Sequence, residues 1–93
     1  MTLPDRYYKE LYELLCAVKN AKEAKMLLQD LLTPQELDSL AERWQEVQAL
    51  AKGEAQRSIA KRLGISISKI TRGSRVLKNG NGGFGYFLRK MKK

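Results

Sequence analysis

The sequence predicts an all-α fold. Apolar residues recur three and four positions apart through most of the 93-residue chain, which is the spacing of one helix face. Residues 33–36 carry a strong helix start signal, and no segment alternates convincingly in the manner of a strand. A chain of this length forms one domain and buries only about 60–65% of its unfolded surface. Because 43% of the residues are hydrophobic, we predict that some are buried against a second copy.

Residues 1–32 are predicted to form two helices that serve in dimerisation. Pro4 and Asp5 open the first helix, and Asn20 is expected to break or bend it. Its apolar positions are Tyr8, Leu11, Tyr12, Leu15 and Val18. The second helix carries Leu27, Leu28, Leu31 and Leu32 on one side. The lone Cys16 lies on an apolar stretch and is interpreted as a core residue, with a reactive thiol as the alternative.

The central helix is predicted over residues 33–53. Thr33 is a good N-cap, Pro34 suits the first helical position, and Glu36 completes a capping box. The helix is expected to stop at Gly53 and to bury Leu37, Leu40, Ala41, Trp44, Val47 and Ala51. The place of Trp44 on this stripe favours a core role over a binding-site aromatic.

Residues 55–78 have the pattern of a helix-turn-helix. Ile59 and Leu63 stand four apart and point inward, and Gly64 supplies the positive φ that ends the first helix. Ile65 fills the corner, Ser66 caps the second helix, and Ile70 is expected to pack against Ile59 and Leu63. The small Ala60 allows the two helices to cross closely.

Residues 79–93 are predicted to be a glycine-rich linker followed by a C-terminal helix. Four of the seven glycines lie between 80 and 85, so we expect residues 79–83 to stay outside any helix, as a linker or hinge. The segment lacks the Lys-Ser/Thr of a phosphate loop, so a nucleotide site is not indicated. The helix that follows carries Phe84, Phe87, Leu88 and Met91 at helical spacing.

The charge is divided unevenly along the chain. Residues 1–54 contain seven Lys/Arg and ten Asp/Glu, whereas residues 55–93 contain eleven Lys/Arg and no acidic residue. Such a region attracts phosphate strongly. A basic tail that aids solubility is the second interpretation, and a membrane surface the third. No stretch approaches the roughly 20 apolar residues of a membrane span, and no signal peptide is evident, so we expect a cytoplasmic protein.

The helix-turn-helix and the basic charge together predict binding to double-stranded DNA. The second helix, at about 66–77, is expected to lie in the major groove. Arg57 and Lys69 are predicted to reach base edges, and Lys61, Arg62 and Lys78 to contact phosphates. The outward-facing residues are Gln56, Arg57, Lys61, Ile67, Ser68, Lys69, Thr71, Arg72 and Arg75. A protein-binding adaptor is the alternative. Without histidine or a metal-ligand cluster, neither an enzyme nor a metal site is expected.

Several motifs resemble those of the bacterial tryptophan repressor family, over about Gln29 to Lys78. They are Leu31-Leu32-Thr33-Pro34-Gln35-Glu36, Arg43, Gly53-Glu54, Gln56-Arg57 and Ile70-Thr71-Arg72-Gly73-Ser74. The resemblance implies about six helices, an intertwined homodimer joined through the N-terminal helices, and a repressor that binds operator DNA. It also implies L-tryptophan as a corepressor beside the helix-turn-helix. The later residues Gly80-Asn81-Gly82-Gly83-Phe84 look like a less-studied branch of the family, whose effector need not be tryptophan.

Residue by residue, the resemblance implies two sets of contacts. Thr33, Arg43, Arg72 and Gly73 match corepressor contacts, and Val76 stands where the family has a serine near the ligand's amino group. The DNA contacts match Gln56, Arg57, Ile67, Ser68, Lys69 and Thr71. The chain also departs from the family at Asp30, where an apolar residue is usual, and by one residue missing between Gly53 and Gln56.

Arg43 and Arg72 predict the chemistry of the effector. One can form a fork with a carboxylate while the other stacks on a ring, so a related aromatic carboxylate is a candidate beside L-tryptophan. Because Val76 cannot bond an ammonium group, backbone carbonyls near residues 30–32 would have to do so. We expect weak or absent binding of L-tryptophan and good competition by a carboxylated aromatic that lacks the amine. The alternatives are another effector, none, or surface arginines that pair with Glu42, Glu46 or DNA phosphate.

Overall fold

The structure, a computed structural model, describes residues 2–92. These residues form six α-helices and no strand, as the sequence predicts. The helices are α1 (Asp5–Cys16), α2 (Ala21–Leu31), α3 (Pro34–Ala51), α4 (Gln56–Leu63), α5 (Ile67–Asn79) and α6 (Gly83–Lys90). Two compact units divide between Leu37 and Asp38. Across residues 2–92, no helix has the length and apolarity needed to cross a membrane.

The first unit contains α1, α2 and the first turn of α3. The predicted break near Asn20 is confirmed, since α1 ends at Cys16 and α2 begins at Ala21. Asn20 is the N-cap of α2, and its side-chain oxygen accepts a hydrogen bond from the Glu23 amide at 2.9 Å. Neither α1 nor α2 has a buried residue. The prediction of a core position for Cys16 is therefore wrong: the residue is exposed at the end of α1, where nothing in the described chain covers it.

The predicted capping box at the start of α3 is confirmed. The Glu36 amide donates to Thr33 Oγ1 at 3.1 Å, and the Thr33 amide donates to Glu36 Oε1 at 2.8 Å. At the other end, Gly53 has a φ of +87°, and the Glu54 amide closes the last turn onto the Ala49 carbonyl at 3.1 Å.

The buried face of α3 differs from the prediction. Val47 is fully buried as expected, but Leu40, Ala41 and Ala51 are exposed. Leu37 and Trp44 are half-buried. Ala49 is buried instead, with Leu50 half-buried beside it, because the face around these two residues packs against α4 and α5. The packing of the helix-turn-helix, rather than the widest apolar stripe, therefore selects the buried face.

The core of the second unit is formed by Ala49, Ile59 and Ile70. The predicted inward positions of the helix-turn-helix are confirmed, since both isoleucines are fully buried. Gly64 adopts the left-handed conformation at a φ of 68° and ends α4. The partly buried residues packed against the core are Leu50, Ala60, Leu63 and Ile65. At the start of α5, the Lys69 amide donates to Ser66 Oγ at 3.3 Å, which confirms the predicted cap.

The glycine-rich segment is shorter than predicted. The helix α5 continues to Asn79 and α6 begins at Gly83, so only residues 80–82 separate them. The expectation that residues 79–83 lie outside helices is therefore wrong at both ends. Packing offsets the low helix propensity of glycine here, because the rings of Phe84 and Trp44 lie 6.4 Å apart between centroids.

Gly80 has no room for a side chain at the end of α5. A Cβ at this position would lie 2.5 Å from the Val76 carbonyl oxygen, to which the Gly80 amide donates the closing hydrogen bond of the helix. A larger residue would therefore have to move the last turn of α5.

Candidate nucleic-acid interface and the adjacent cavity

The helices α4 and α5 present most of the predicted DNA-contacting residues to solvent. Six of the eight lie exposed on the two helices: Arg57, Lys61, Ile67, Ser68, Lys69 and Arg75. Their exposure follows from the core, because Ile59 and Ile70 direct the opposite faces of the two helices inward. The exposed set contains four cations and two small or apolar side chains, which is a combination suited to phosphates and base edges.

The other two predicted DNA contacts, Gln56 and Thr71, lie between the helices. Both are half-buried, and the Thr71 hydroxyl lies 3.2 Å from Gln56 Oε1 and 3.0 Å from the Ile67 carbonyl oxygen. The contact with Gln56 joins the first turn of α4 to the first half of α5. These two residues therefore help to fix the orientation of the recognition helix, in addition to any contact with DNA.

Arg62 forms an ion pair rather than standing free for phosphate. Its guanidinium donates to both carboxylate oxygens of Glu54, at 2.8 and 3.2 Å. This Arg62–Glu54 contact is the only ion pair within 4.0 Å in residues 2–92. The side chain of Arg62 remains 51% exposed and that of Glu54 32% exposed. The pairing uses two of the five N–H donors of the guanidinium, and the predicted contact of Arg62 with phosphate stays a prediction.

A cavity of about 270 Å³ lies between α3 and α5, next to the helix-turn-helix. Each helix lines it with positions i, i+3, i+4 and i+7, which form one helix face. These are Ser39, Glu42, Arg43 and Glu46 from α3 and Lys69, Arg72, Gly73 and Val76 from α5, with Phe84 of α6 completing the lining. Four of the five residues predicted to bind an effector thus share one cavity. The fifth, Thr33, belongs to the first unit.

The sequence analysis missed the importance of Glu46. This residue is only 4% exposed, and its Oε1 has no hydrogen-bond partner. Burial raises the pKa of its carboxyl group, Arg43 and Lys69 oppose that rise, and Glu42 adds to it. The available signal was position: Glu46 stands three residues after Arg43, on the face of α3 that lines the cavity.

Comparison with known proteins identifies the family. A sequence profile described as Trp repressor protein matches residues 6–92. The chain belongs to the Trp repressor family. It is 40% identical over 75 residues to a Trp operon repressor homolog of Vibrio parahaemolyticus, covering 80% of this chain and 73% of that one. A homolog from Xylella fastidiosa is 33% identical over 87 residues and 92% of each chain.

Solved structures agree with this assignment. A candidate Trp repressor from Staphylococcus aureus superimposes with a TM-score of 0.88 at 28% identity, over 92% of this chain and 86% of that one. A TrpR-like protein from Eubacterium eligens also gives 0.88, at 26% identity, over 92% and 89% of the two chains. The chain is therefore a DNA-binding transcriptional repressor of the Trp repressor family. The roles of its individual residues in binding remain predictions.

This Trp repressor family protein also has an apolar groove beside the charged cavity. The groove has a volume of about 650 Å³ and is lined by Trp44, Val76, Asn81, Gly82, Gly83, Phe84, Phe87 and Met91. Trp44 is thus half-buried at a groove wall, rather than enclosed in the core as predicted, with the Phe84 ring of α6 tilted by 36° against its own. Val76 and Phe84 line both the groove and the charged cavity.

Proposed function

We propose that this repressor binds operator DNA sequence-specifically, with α5 as the recognition helix in the major groove. The supporting observation is the cationic exposed surface of α4 and α5, within a 39-residue segment that contains no acidic residue. The first turn of α5 carries Ile67, Ser68 and Lys69, which match the N-terminal positions that read bases in helix-turn-helix proteins. Operator DNA lies in the cytoplasm, and we propose that the chain acts there without catalytic activity.

Two alanine variants distinguish base reading from phosphate contact. We expect Arg57→Ala to cost about 1–3 kcal/mol on the preferred site and to relax sequence preference, because a bidentate contact to guanine is lost. Lys61→Ala serves as the matched control on the same helix. It should weaken binding to all duplexes alike and reduce the salt slope by about one. Fluorescence anisotropy on a selected site and a scrambled duplex measures both effects.

Equal changes in sequence preference for the two variants would contradict this division of roles. A wild-type protein with no affinity for any duplex at low salt would contradict DNA binding altogether. That result would favour the adaptor interpretation, in which the same helices bind a protein.

We also propose that the chain acts as a homodimer through α1 and α2. Neither helix buries a residue within one chain, although both carry large apolar side chains. Those exposed in the first unit are Leu3, Tyr7, Leu11, Tyr12, Leu14, Leu15, Met26 and Leu31. A surface this rich in apolar groups is typical of an interface, and a second copy would cover it.

The dimer is tested by sedimentation equilibrium at micromolar concentration. We expect a species of twice the 10.6 kDa chain mass, and dissociation on Leu15→Glu, because the substitution introduces a charge into the apolar face. Lys9→Glu on the same helix is the control, and it should remain dimeric. A wild-type species of 10.6 kDa alone would overturn the proposal.

We propose further that the cavity between α3 and α5 binds a small effector, either L-tryptophan or a related aromatic carboxylate. Arg43 and Arg72 line it from opposite helices, which suits a carboxylate fork on one side and ring stacking on the other. Binding there would act on the recognition helix directly, because α5 supplies four of the lining residues.

A further inference from the structure

The cavity between α3 and α5 carries charges of both signs that do not pair with each other. Two carboxylates and three cations line it: Glu42, Glu46, Arg43, Lys69 and Arg72. Within the described chain, none of the five forms an ion pair at 4.0 Å or less. Because no direct ion pair neutralises them, charges of both signs line the space that a bound molecule would occupy.

Among the charged residues that line this cavity, Glu46 has a buried oxygen without a hydrogen-bond partner. The residue is buried, with only 4% of its surface exposed, and its Oε1 accepts no hydrogen bond. A buried carboxylate oxygen without a hydrogen-bond partner destabilises the fold, and a cation bound in the cavity would supply the missing partner.

Glu46 Oε1 lies beside Gly73 of the facing helix. A Cβ at Gly73 would lie 3.6 Å from this oxygen, which is an ordinary van der Waals contact, so an alanine would fit within the chain. Packing alone therefore does not require glycine. The missing side chain instead leaves space beside the carboxylate on the α5 side of the cavity.

We propose that Glu46 accepts the ammonium group of a small zwitterionic effector, while one of Arg43 and Arg72 holds its carboxylate and the other stacks on its ring. The inference rests on the effector site proposed above and adds the group that recognises the cation. Val76 lines the same cavity without a hydrogen-bonding atom. Glu46 supplies the acceptor that Val76 lacks, so selection for the amine is expected, contrary to what the sequence at Val76 predicts.

Proton linkage provides a readout that a purely structural role would not give. Burial raises the pKa of Glu46, and the nearby carboxylate of Glu42 adds to this rise. The positive charges of Arg43 and Lys69 lower the pKa, and a third cation, Arg72, also lines the cavity. A bound ammonium favours the ionised carboxylate, so binding should release a proton from the protonated fraction. The affinity for the zwitterion should then rise as the pH increases through the pKa of Glu46.

Isothermal titration calorimetry with three matched probes tests the proposal. L-Tryptophan carries both charged groups, indole-3-propionate lacks the ammonium, and tryptamine lacks the carboxylate. We expect the wild type to prefer L-tryptophan over indole-3-propionate by about 10- to 100-fold, the range of a charged hydrogen bond. Glu46→Gln should lose that preference and the pH dependence. Asp38→Asn, on the same helix but outside the cavity lining, should keep both, and thermal melts confirm that each variant is folded.

Three outcomes would overturn the proposal. They are equal wild-type affinity for L-tryptophan and indole-3-propionate, an unchanged preference in folded Glu46→Gln, and no binding of any probe. If Glu46→Gln does not fold, the preference and pH profile of the wild type decide alone. Duplex binding by the same preparation at low salt separates this inference from the repressor function, since DNA affinity can persist when the probe result is negative.

Discussion

Raising the salt concentration from about 50 to about 200 mM should weaken DNA binding by about 10³- to 10⁵-fold, if the repressor makes 6–10 phosphate contacts. Eleven Lys/Arg and no acidic residue lie in residues 55–93, and a dimer would present two such segments. Each neutralised phosphate releases condensed counterions, and that release loses its entropic advantage as bulk salt rises. The effect is the largest expected here because every phosphate contact contributes to it.

Anisotropy titrations across a KCl series measure the slope of log affinity against log salt. Arg62→Ala is the informative control, because Glu54 already occupies the Arg62 guanidinium at 2.8 Å. We expect this variant to keep the wild-type slope, in contrast to the original assignment of Arg62 to phosphate. An affinity that barely responds to salt would contradict a phosphate-dominated interface.

Replacing Ile70 by Ala should destabilise the helix-turn-helix by about 2–5 kcal/mol, through lost burial and the cavity left behind. Ile70 is fully buried against Ile59 and Ala49, and the core of this unit has few other fully buried side chains. A small domain has only about 5–15 kcal/mol of total stability, so DNA binding should fail as the unit unfolds.

Urea denaturation followed by circular dichroism measures this loss. Ile67→Ala is the matched control, since it is the same change on the same helix at a residue that is 47% exposed. Its stability should stay within about 0.5 kcal/mol of the wild type. Similar losses for the two variants would show that burial at Ile70 does not determine the stability of the unit.

Local signals in the sequence were enough to predict most helix boundaries. The capping box of Thr33 and Glu36, the turn at Gly64 and the cap at Ser66 depend on atoms within four residues of one another. Such features form from nearby sequence and need no knowledge of the tertiary fold. The core pair Ile59 and Ile70 was predictable because the turn fixes which faces meet.

The buried face of α3 was not predictable in the same way. Its apolar residues form more than one stripe, and only the packing of α4 and α5 selects the one near Ala49 rather than Leu40 or Ala51. The start of α6 at Gly83 also depends on a distant contact, between Phe84 and Trp44. Local propensity is a weak guide when tertiary contacts decide.

The candidate effector site, too, was only partly predictable from the sequence. The family motif led to Arg43, Arg72, Gly73 and Val76, which line one cavity. Glu46 escaped because glutamate is almost never fully buried without a partner, so a solvated position on α3 was the natural expectation. Its importance emerges only when α3 and α5 face each other.

The corner between α5 and α6 bears on how this repressor can change over generations. Gly80 and Gly83 look interchangeable in the sequence, yet a Cβ on Gly80 would meet the Val76 carbonyl oxygen, whereas a Cβ on Gly83 would meet open space. A side chain at Gly83 would therefore meet no steric obstacle, whereas any inherited replacement of Gly80 must shift the end of the recognition helix. We expect a mutation there to act on the recognition helix through Val76, without replacing any residue assigned to DNA or effector contact.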